Sequence, residues 1–233
     1  MSTSTVKRSL ITQLDPFSIA ANEYRSLRNK LDFTPNGQTR KVILVTSAVP
    51  LEGKSTTAAN LAIAYAQANR KVLLIDGNAY RPALHQVFSV SGDSGAASGS
   101  FPYLSLADMA REVGIRNLSL FTAGQFFSVS DNPFHEEAMG SLLVQAREQY
   151  DIVIIDSPAL LSLTDTSILA VKSDGVLLVV HTSLSRKEQV LKAKKLLEQL
   201  QVPIIGCVLN KTKSDSSAAY EHYSTARTKR EKL

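Results

Sequence analysis

The chain is predicted to be an α/β protein built on a doubly wound, mostly parallel sheet. Three observations predict it. Continuous apolar runs recur at Val42–Val45, Val72–Ile75, Ile152–Ile155, Val176–Val180 and Ile204–Leu209, as suits strands buried on both faces. Helical segments separate these runs, and repeated strand–helix alternation argues for a parallel sheet covered on both sides. The first run empties into a short loop from Ser47 to Gly53, after which Lys54-Ser55-Thr56 opens an Ala-rich helix. That is the strand–loop–helix setting of a phosphate loop.

Taken in order, the polar start Met1-Ser2-Thr3-Ser4-Thr5 has no secretory core, and no apolar run approaches the roughly twenty residues that cross a bilayer. The expectation is a cytoplasmic protein with a flexible N-terminus over residues 1–14. Asp15-Pro16 reads as an N-cap followed by proline at the first helical position, opening a helix to about Leu31. Ala20, Tyr24, Leu27 and Leu31 share one stripe of it. Arg25 and Arg28 project from another side, to meet carboxylates or lie solvated. In the helix after the phosphate loop, Ala58, Ala62 and Ala66 form a narrow face suited to close packing on a sheet. Lys71–Asp76 is the second buried strand, and its terminal Asp76 falls at the carboxyl edge, where doubly wound folds bind ligands. An Asp in that position is also a common turn or helix cap.

Residues 91–100 are dominated by Ser, Gly and Ala and read as a surface loop. A short helix around Leu106–Val113, a strand at Leu118–Phe121 and a helix around Glu136–Glu148 follow. Ile152–Ile155 closes on Asp156, an apolar run ended by an acid, which is the Walker B arrangement. After the strand at Gly175–Val180, Ser185 and Glu188 make a capping box for a helix whose buried stripe is Val190, Ala193, Leu197 and Leu200. Pro203–Leu209 is the last strand. Cys207, the only cysteine, lies within it and is expected to be buried and inert. Beyond Lys211 the chain turns polar and basic. Residues 15–211 thus read as one domain and 212–233 as a disordered tail carrying Tyr220 and Tyr223.

The bulk agrees with this. At 233 residues, 44% of them hydrophobic and 20% charged, the chain has the material for a globular core, and disorder throughout is excluded. The net charge of +5 is moderate and does not by itself argue for nucleic acid.

Chemistry concentrates at Ala48-Val49-Pro50-Leu51-Glu52-Gly53-Lys54-Ser55, a phosphate-loop pattern with Ala in place of the first glycine. Unpaired N–H groups at the start of the following helix, with its positive dipole end, hold a polyphosphate. Gly53 lets the backbone approach it, Lys54 reaches its terminal phosphates, and the Ser55 hydroxyl completes a Mg²⁺ site with a distant carboxylate. The fold class is therefore read as that of a P-loop NTPase.

Three stretches carry a further resemblance: Ser47 to Thr56, Leu74-Ile75-Asp76 through Arg81-Pro82, and Ile154-Ile155-Asp156-Ser157-Pro158. Together they resemble the bacterial tyrosine kinases of capsule and exopolysaccharide synthesis. Tyr24-Arg25-Ser26-Leu27-Arg28, Asn132-Pro133 and Val208-Leu209-Asn210 extend the likeness over about residues 15 to 211. The MinD/ParA ATPases are broader relatives, and their extra lysine early in the loop is absent from Ala48, Val49 and Pro50. The resemblance implies an ATP- and Mg²⁺-dependent autokinase, cytoplasmic and peripheral at the inner face of the cell membrane. It forms a ring, is activated by a membrane-bound chain-length protein, is served by a cognate phosphatase and binds no nucleic acid.

By the same resemblance, Glu52, Gly53, Lys54, Ser55, Thr56 and Asn210 bind nucleotide, with Asn210 at the adenine. Ser55, Asp76 and Asp156 hold the metal, Lys54 and Asp76 are catalytic with Asp76 as base, Tyr220 and Tyr223 accept phosphate, and Arg25 and Arg28 make the ring contact. Four departures bear on this. Asn78 replaces the second acid of the family's Asp-x-Asp, Tyr80 an arginine, Leu51 a loop glycine, and Asn22 a glutamate at the start of the helix. A nucleotide-binding pseudokinase of the polysaccharide export machinery and a MinD/ParA-like positioning ATPase are the alternatives.

Overall fold

The computed structural model describes residues 10–33, 40–78, 81–90, 106–122 and 136–212. Seven strands form one sheet in the order β3-β4-β2-β5-β1-β6-β7. They are β1 (Val42–Ser47), β2 (Val72–Asp76), β3 (Arg111–Glu112), β4 (Leu118–Thr122), β5 (Ile152–Asp156), β6 (Gly175–His181) and β7 (Ile204–Asn210). All pairings are parallel except the short β3–β4 pair. The described helices are α1 (Ile11–Leu14), α2 (Ile19–Asp32), α3 (Lys54–Gln67), α4 (Leu84–Phe88), α5 (Leu106–Met109), α6 (Glu136–Gln149), α7 (Asp165–Val171) and α8 (Lys187–Gln199).

The apolar runs are buried on both faces because alternate residues feed two cores. Ile43, Val45, Leu74 and Ile154 join Ala58, Ala62, Leu31 and Leu84 on the face covered by α2, α3 and α4. Val42, Leu44, Leu73 and Val153 join Met139, Leu143, Leu169 and Leu197 on the face covered by α5 to α8. The predicted doubly wound sheet is thus observed. Order β2-β5-β1-β6 sets the carboxyl ends of β2, β5 and β1 side by side, and Asp76, Asp156 and Val45 share one register level.

Several local expectations change. Ser18, not Asp15, caps α2: its Oγ accepts the Ala21 N–H at 3.2 Å, while Asp15 ends α1. Residues 10–14 pack on the domain, with Leu10 buried and Thr12 held to α3 by its N–H on Asn60 Oδ1 at 2.9 Å. Cys207 is exposed rather than buried. The reason is that β7 is the sheet edge, where Ile204 and Leu209 are also exposed, so an apolar run did not mean two covered faces there. Among the described residues no helix is long and apolar enough to cross a membrane.

At the opposite, amino edge, Arg147 grips Asp174 with two bonds of 2.6 and 2.8 Å. Asp174 Oδ2 also accepts the Lys41 and Val42 N–H groups, tying the start of β1 to α6 and to the turn before β6.

Candidate nucleotide site

The phosphate loop joins β1 to α3 at the carboxyl edge. Gly53 caps α3 in the left-handed region, φ 92° and ψ 19°, which glycine adopts without penalty. A Cβ there would overlap the Asn210 amide. Leu51 is left-handed as well, at φ 68°, so the position does demand what its residue resists. That costs about 1–2 kcal/mol in a residue with a Cβ, and Leu51 is 83% exposed, so no packing of its own offsets it.

Lys54 and Ser55 stand in the first turn of α3 and are half-buried, with Thr56 exposed beside them. Glu52 differs from expectation. Its side chain is fully buried and serves the loop: Oε2 accepts the Val49 N–H at 2.8 Å and Oε1 accepts the Ser185 hydroxyl. Any part it plays with a nucleotide falls to its main chain. Asn210 flanks the loop, its Nδ2 donating to Glu52 O at 3.0 Å and its Oδ1 accepting the Lys211 N–H at 2.9 Å.

The two acids meet across neighbouring strands. The Ser55 hydroxyl lies beside the Asp156 carboxylate and favours its charged form, whereas Asp156 Oδ1 is buried without a hydrogen-bond partner among the described residues. Burial, and after it the Asp76 charge, push the Asp156 carboxyl up to about 7, against the opposing pull of Ser55 and Lys54. An orphaned carboxylate oxygen, a hydroxyl and a second acid in one register level are the donor set of a hard divalent cation. These residues therefore fit Mg²⁺.

Asp76 carries a second duty. Its Oδ2 accepts the Ala83 and Leu84 N–H groups at 2.8 and 2.9 Å, capping α4, and its Oδ1 accepts the Asn78 N–H at 3.2 Å. Burial raises this carboxyl, while those three N–H groups and the His85 charge pull it down. A carboxylate offers about four lone-pair sites, so Oδ1 retains room for one more partner. Asn78 Oδ1 accepts the Arg81 N–H at 3.1 Å, so its side chain is tied to the segment that leads into α4. Gly77 leaves no room for a side chain, since a Cβ would lie 2.8 Å from Asp156 O.

Lys54, Ser55, Asp76, Asp156 and Asn210 thus gather at one edge, as the sequence predicts. Arg25 and Arg28 lie apart from it and are engaged within the chain, Arg25 on Pro16 O at 2.6 Å and Arg28 on Ala64 O at 2.8 Å. Tyr80, Asn132-Pro133, Tyr220 and Tyr223 lie outside the described residues. Sequence reasoning missed Ser185. It is not a cap, because α8 begins from Arg186 without a side-chain cap bond. Nothing in the local pattern signals a partner at Glu52, far away along the chain.

Comparison with known proteins places this geometry. A family model described as ParA, NUBPL iron-transfer P-loop NTPase, matches residues 38–230. The chain is similar to the tyrosine-protein kinase YwqD of Bacillus subtilis (strain 168), 33% identical over 95% of this chain and 94% of that protein. Among solved structures, the chimerical protein CapA2B2 superposes with a TM-score of 0.81 at 30% identity, covering 89% of this chain and 91% of the other. The kinase domain of the Escherichia coli tyrosine kinase ETK gives 0.77 at 26% identity, covering 89% and 83%.

Proposed function

This chain belongs to the bacterial tyrosine kinases within the ParA-like P-loop NTPases, and from that premise we propose that it is an ATP-dependent protein-tyrosine autokinase of capsular or exopolysaccharide synthesis. The observation that carries the reading is the junction of the phosphate loop with the acids: Ser55 beside Asp156, the orphaned Asp156 Oδ1, and Asp76 on the neighbouring strand. Ser55 and Asp156 would hold Mg²⁺, with the Asp76 charge close by on the neighbouring strand, and the cation would neutralise phosphate charge when bound. Lys54 would meet the terminal phosphates, main-chain N–H groups at the start of α3 would cradle them, and Asn210 would contact the base. A tyrosine hydroxyl has a pKa of about 10, so a carboxylate that accepts its proton during transfer assists the step, and Asp76 Oδ1 is the atom for it.

The acceptors are Tyr220 and Tyr223 of a neighbouring subunit in a ring to which Arg25 and Arg28 contribute, with a membrane-bound activator and a cognate phosphatase as partners. Each phosphate adds about −1.5 to −2 charge, enough to cancel much of the surplus charge of the basic tail and so to loosen the acidic contacts it makes in the ring. The test mixes two variants with Mg-ATP and an activator fragment. Asp76→Asn with an intact tail should gain phosphotyrosine from Tyr220→Phe/Tyr223→Phe with an intact centre. Mass spectrometry that finds phosphate on neither tyrosine, while wild type is modified elsewhere, refutes transfer to the tail.

A second reading has an observation of its own. Asp76 is already bonded to three main-chain N–H groups, and Asn78 supplies no second charge. That favours a pseudokinase that binds nucleotide and transfers nothing, and intact binding with no phosphotyrosine under every activator tested would establish it.

A further inference from the structure

The phosphate loop is held only partly by its own bonds, Val49 N–H on Glu52 Oε2 at 2.8 Å and the Ser47 hydroxyl on Val49 O at 2.7 Å. Glu52 sits between two left-handed residues, Leu51 at φ 68° and Gly53 at φ 92°, so wherever Glu52 is fixed, the main chain that faces a phosphate is fixed with it. Leu51 projects into solvent and contributes no packing. Leu160 and Leu161 N–H groups hold the start of the loop at Ser47 O and Ala48 O, and two residues from elsewhere in the chain hold Glu52 itself. Asn210, at the end of β7, holds the Glu52 carbonyl. Ser185, in the connection from β6 to α8, holds the Glu52 carboxylate.

The Ser185 bond has a defined direction. Its Oγ accepts the His181 N–H at 2.7 Å, so its single proton is directed to Glu52 Oε1, while Val49 N–H occupies Oε2. A fully buried carboxylate is costly unless each oxygen has a donor, and Ser185 is the donor to Oε1. The same serine stands one residue before Arg186, the observed cap position of α8, and the helix starts without a side-chain cap. A residue taken from its local role into a distant contact marks a site where another demand prevails.

We propose that Ser185 is a positioning residue for the nucleotide: its hydroxyl latches Glu52 and thereby holds the phosphate loop, with Leu51 in its unfavourable conformation, in the form that receives phosphates. This rests on the reading of the loop as a nucleotide site. The latch is needed because residue 51 is leucine. With glycine there, the loop meets no penalty and the hydroxyl becomes dispensable.

The experiment measures binding of N-methylanthraniloyl-ATP with Mg²⁺ to wild type, Ser185→Ala, Leu51→Gly and the double variant. Ser185→Ala should weaken binding about tenfold, as expected for a lost hydrogen bond to a charged group. In the Leu51→Gly background the same change should cost less than about threefold, because the strain is gone. Ser185→Thr, which keeps the hydroxyl, should bind like wild type, whereas Ser185→Val, equal to it in shape, should not. That pair carries the test if Ser185→Ala does not fold. Equal losses in both Leu51 backgrounds, or equal binding by the Thr and Val variants, overturn the latch. Wild type that binds no nucleotide overturns the loop reading and the latch with it. Wild type that binds while Ser185→Ala binds equally overturns the latch alone.

Discussion

Asp156→Asn should make the metal-free protein more stable while removing its response to Mg-nucleotide. In the absence of a cation, the folded state keeps the Asp156 carboxyl buried beside Asp76 with one oxygen unpartnered, and pushes it from 3.8 up to about 7. Because the folded value lies above the unfolded one, an acid like this destabilises the fold progressively as pH rises from about 4 to about 7 and has no effect below that window. At about 1.4 kcal/mol per pH unit the penalty reaches at most roughly 4 kcal/mol near neutrality. Relaxation and water entry reduce this, so the gain should be about 1–3 kcal/mol. Asparagine keeps an acceptor for Ser55 and removes the repulsion with Asp76. The assay is urea unfolding in EDTA at pH 4 and pH 7.5, alongside thermal shifts with Mg-ATP. The gap between variant and wild type should be small at the lower pH, wide at the higher, and the Mg-ATP shift should vanish in the variant. A variant less stable than wild type in EDTA, or a gap that ignores pH, would refute the reasoning.

Lys54→Ala deletes the charge that meets the terminal phosphates and should weaken ATP binding by about two orders of magnitude or more, as read by titration calorimetry; unchanged affinity would sink the phosphate-loop assignment. Asn78→Asp preserves the side-chain oxygen that accepts the Arg81 N–H and adds a charge near the metal site, so autophosphorylation should rise, and a flat or falling rate would show that Asn78 is not the handicap. At the amino edge, burial pulls the Asp174 carboxyl upward, but the Arg147 guanidinium and the Val42 and Lys41 N–H groups outweigh it and hold the carboxyl below its ordinary range. Its contribution is present above the unfolded value and is lost as pH falls through the folded one. Asp174→Ala should therefore cost roughly 1–3 kcal/mol at pH 7, after allowance for partial exposure, and less at pH 3, measured by urea unfolding.

The sheet and its ligand edge were legible in the sequence because each rests on a local pattern. Uninterrupted apolar runs at Val42–Val45 and Ile152–Ile155 require cover on both faces, and the structure supplies it. Gly53-Lys54-Ser55 after such a run announces a phosphate loop, and an acid closing a strand announces Asp156. The glycine that the resembling family carries at residue 51 accords with the left-handed conformation found there.

What the sequence could not decide depended on groups brought together from far along the chain. Cys207 and its neighbours read as core, yet strand order put β7 at an edge, where one side has no neighbouring strand. Ser185 with Glu188 satisfied every local rule for a helix cap. A buried carboxylate from the phosphate loop needed a donor more than the helix did, because an unpaired buried charge costs several times what a cap contributes. Likewise Asp76 was identified as a ligand-edge acid, but only the packing of α4 showed that three of its lone-pair sites are already taken. Apolar periodicity and motif spacing are properties of neighbouring residues, and the sequence determines them alone. Which polar group meets which is settled only when the fold removes water from both.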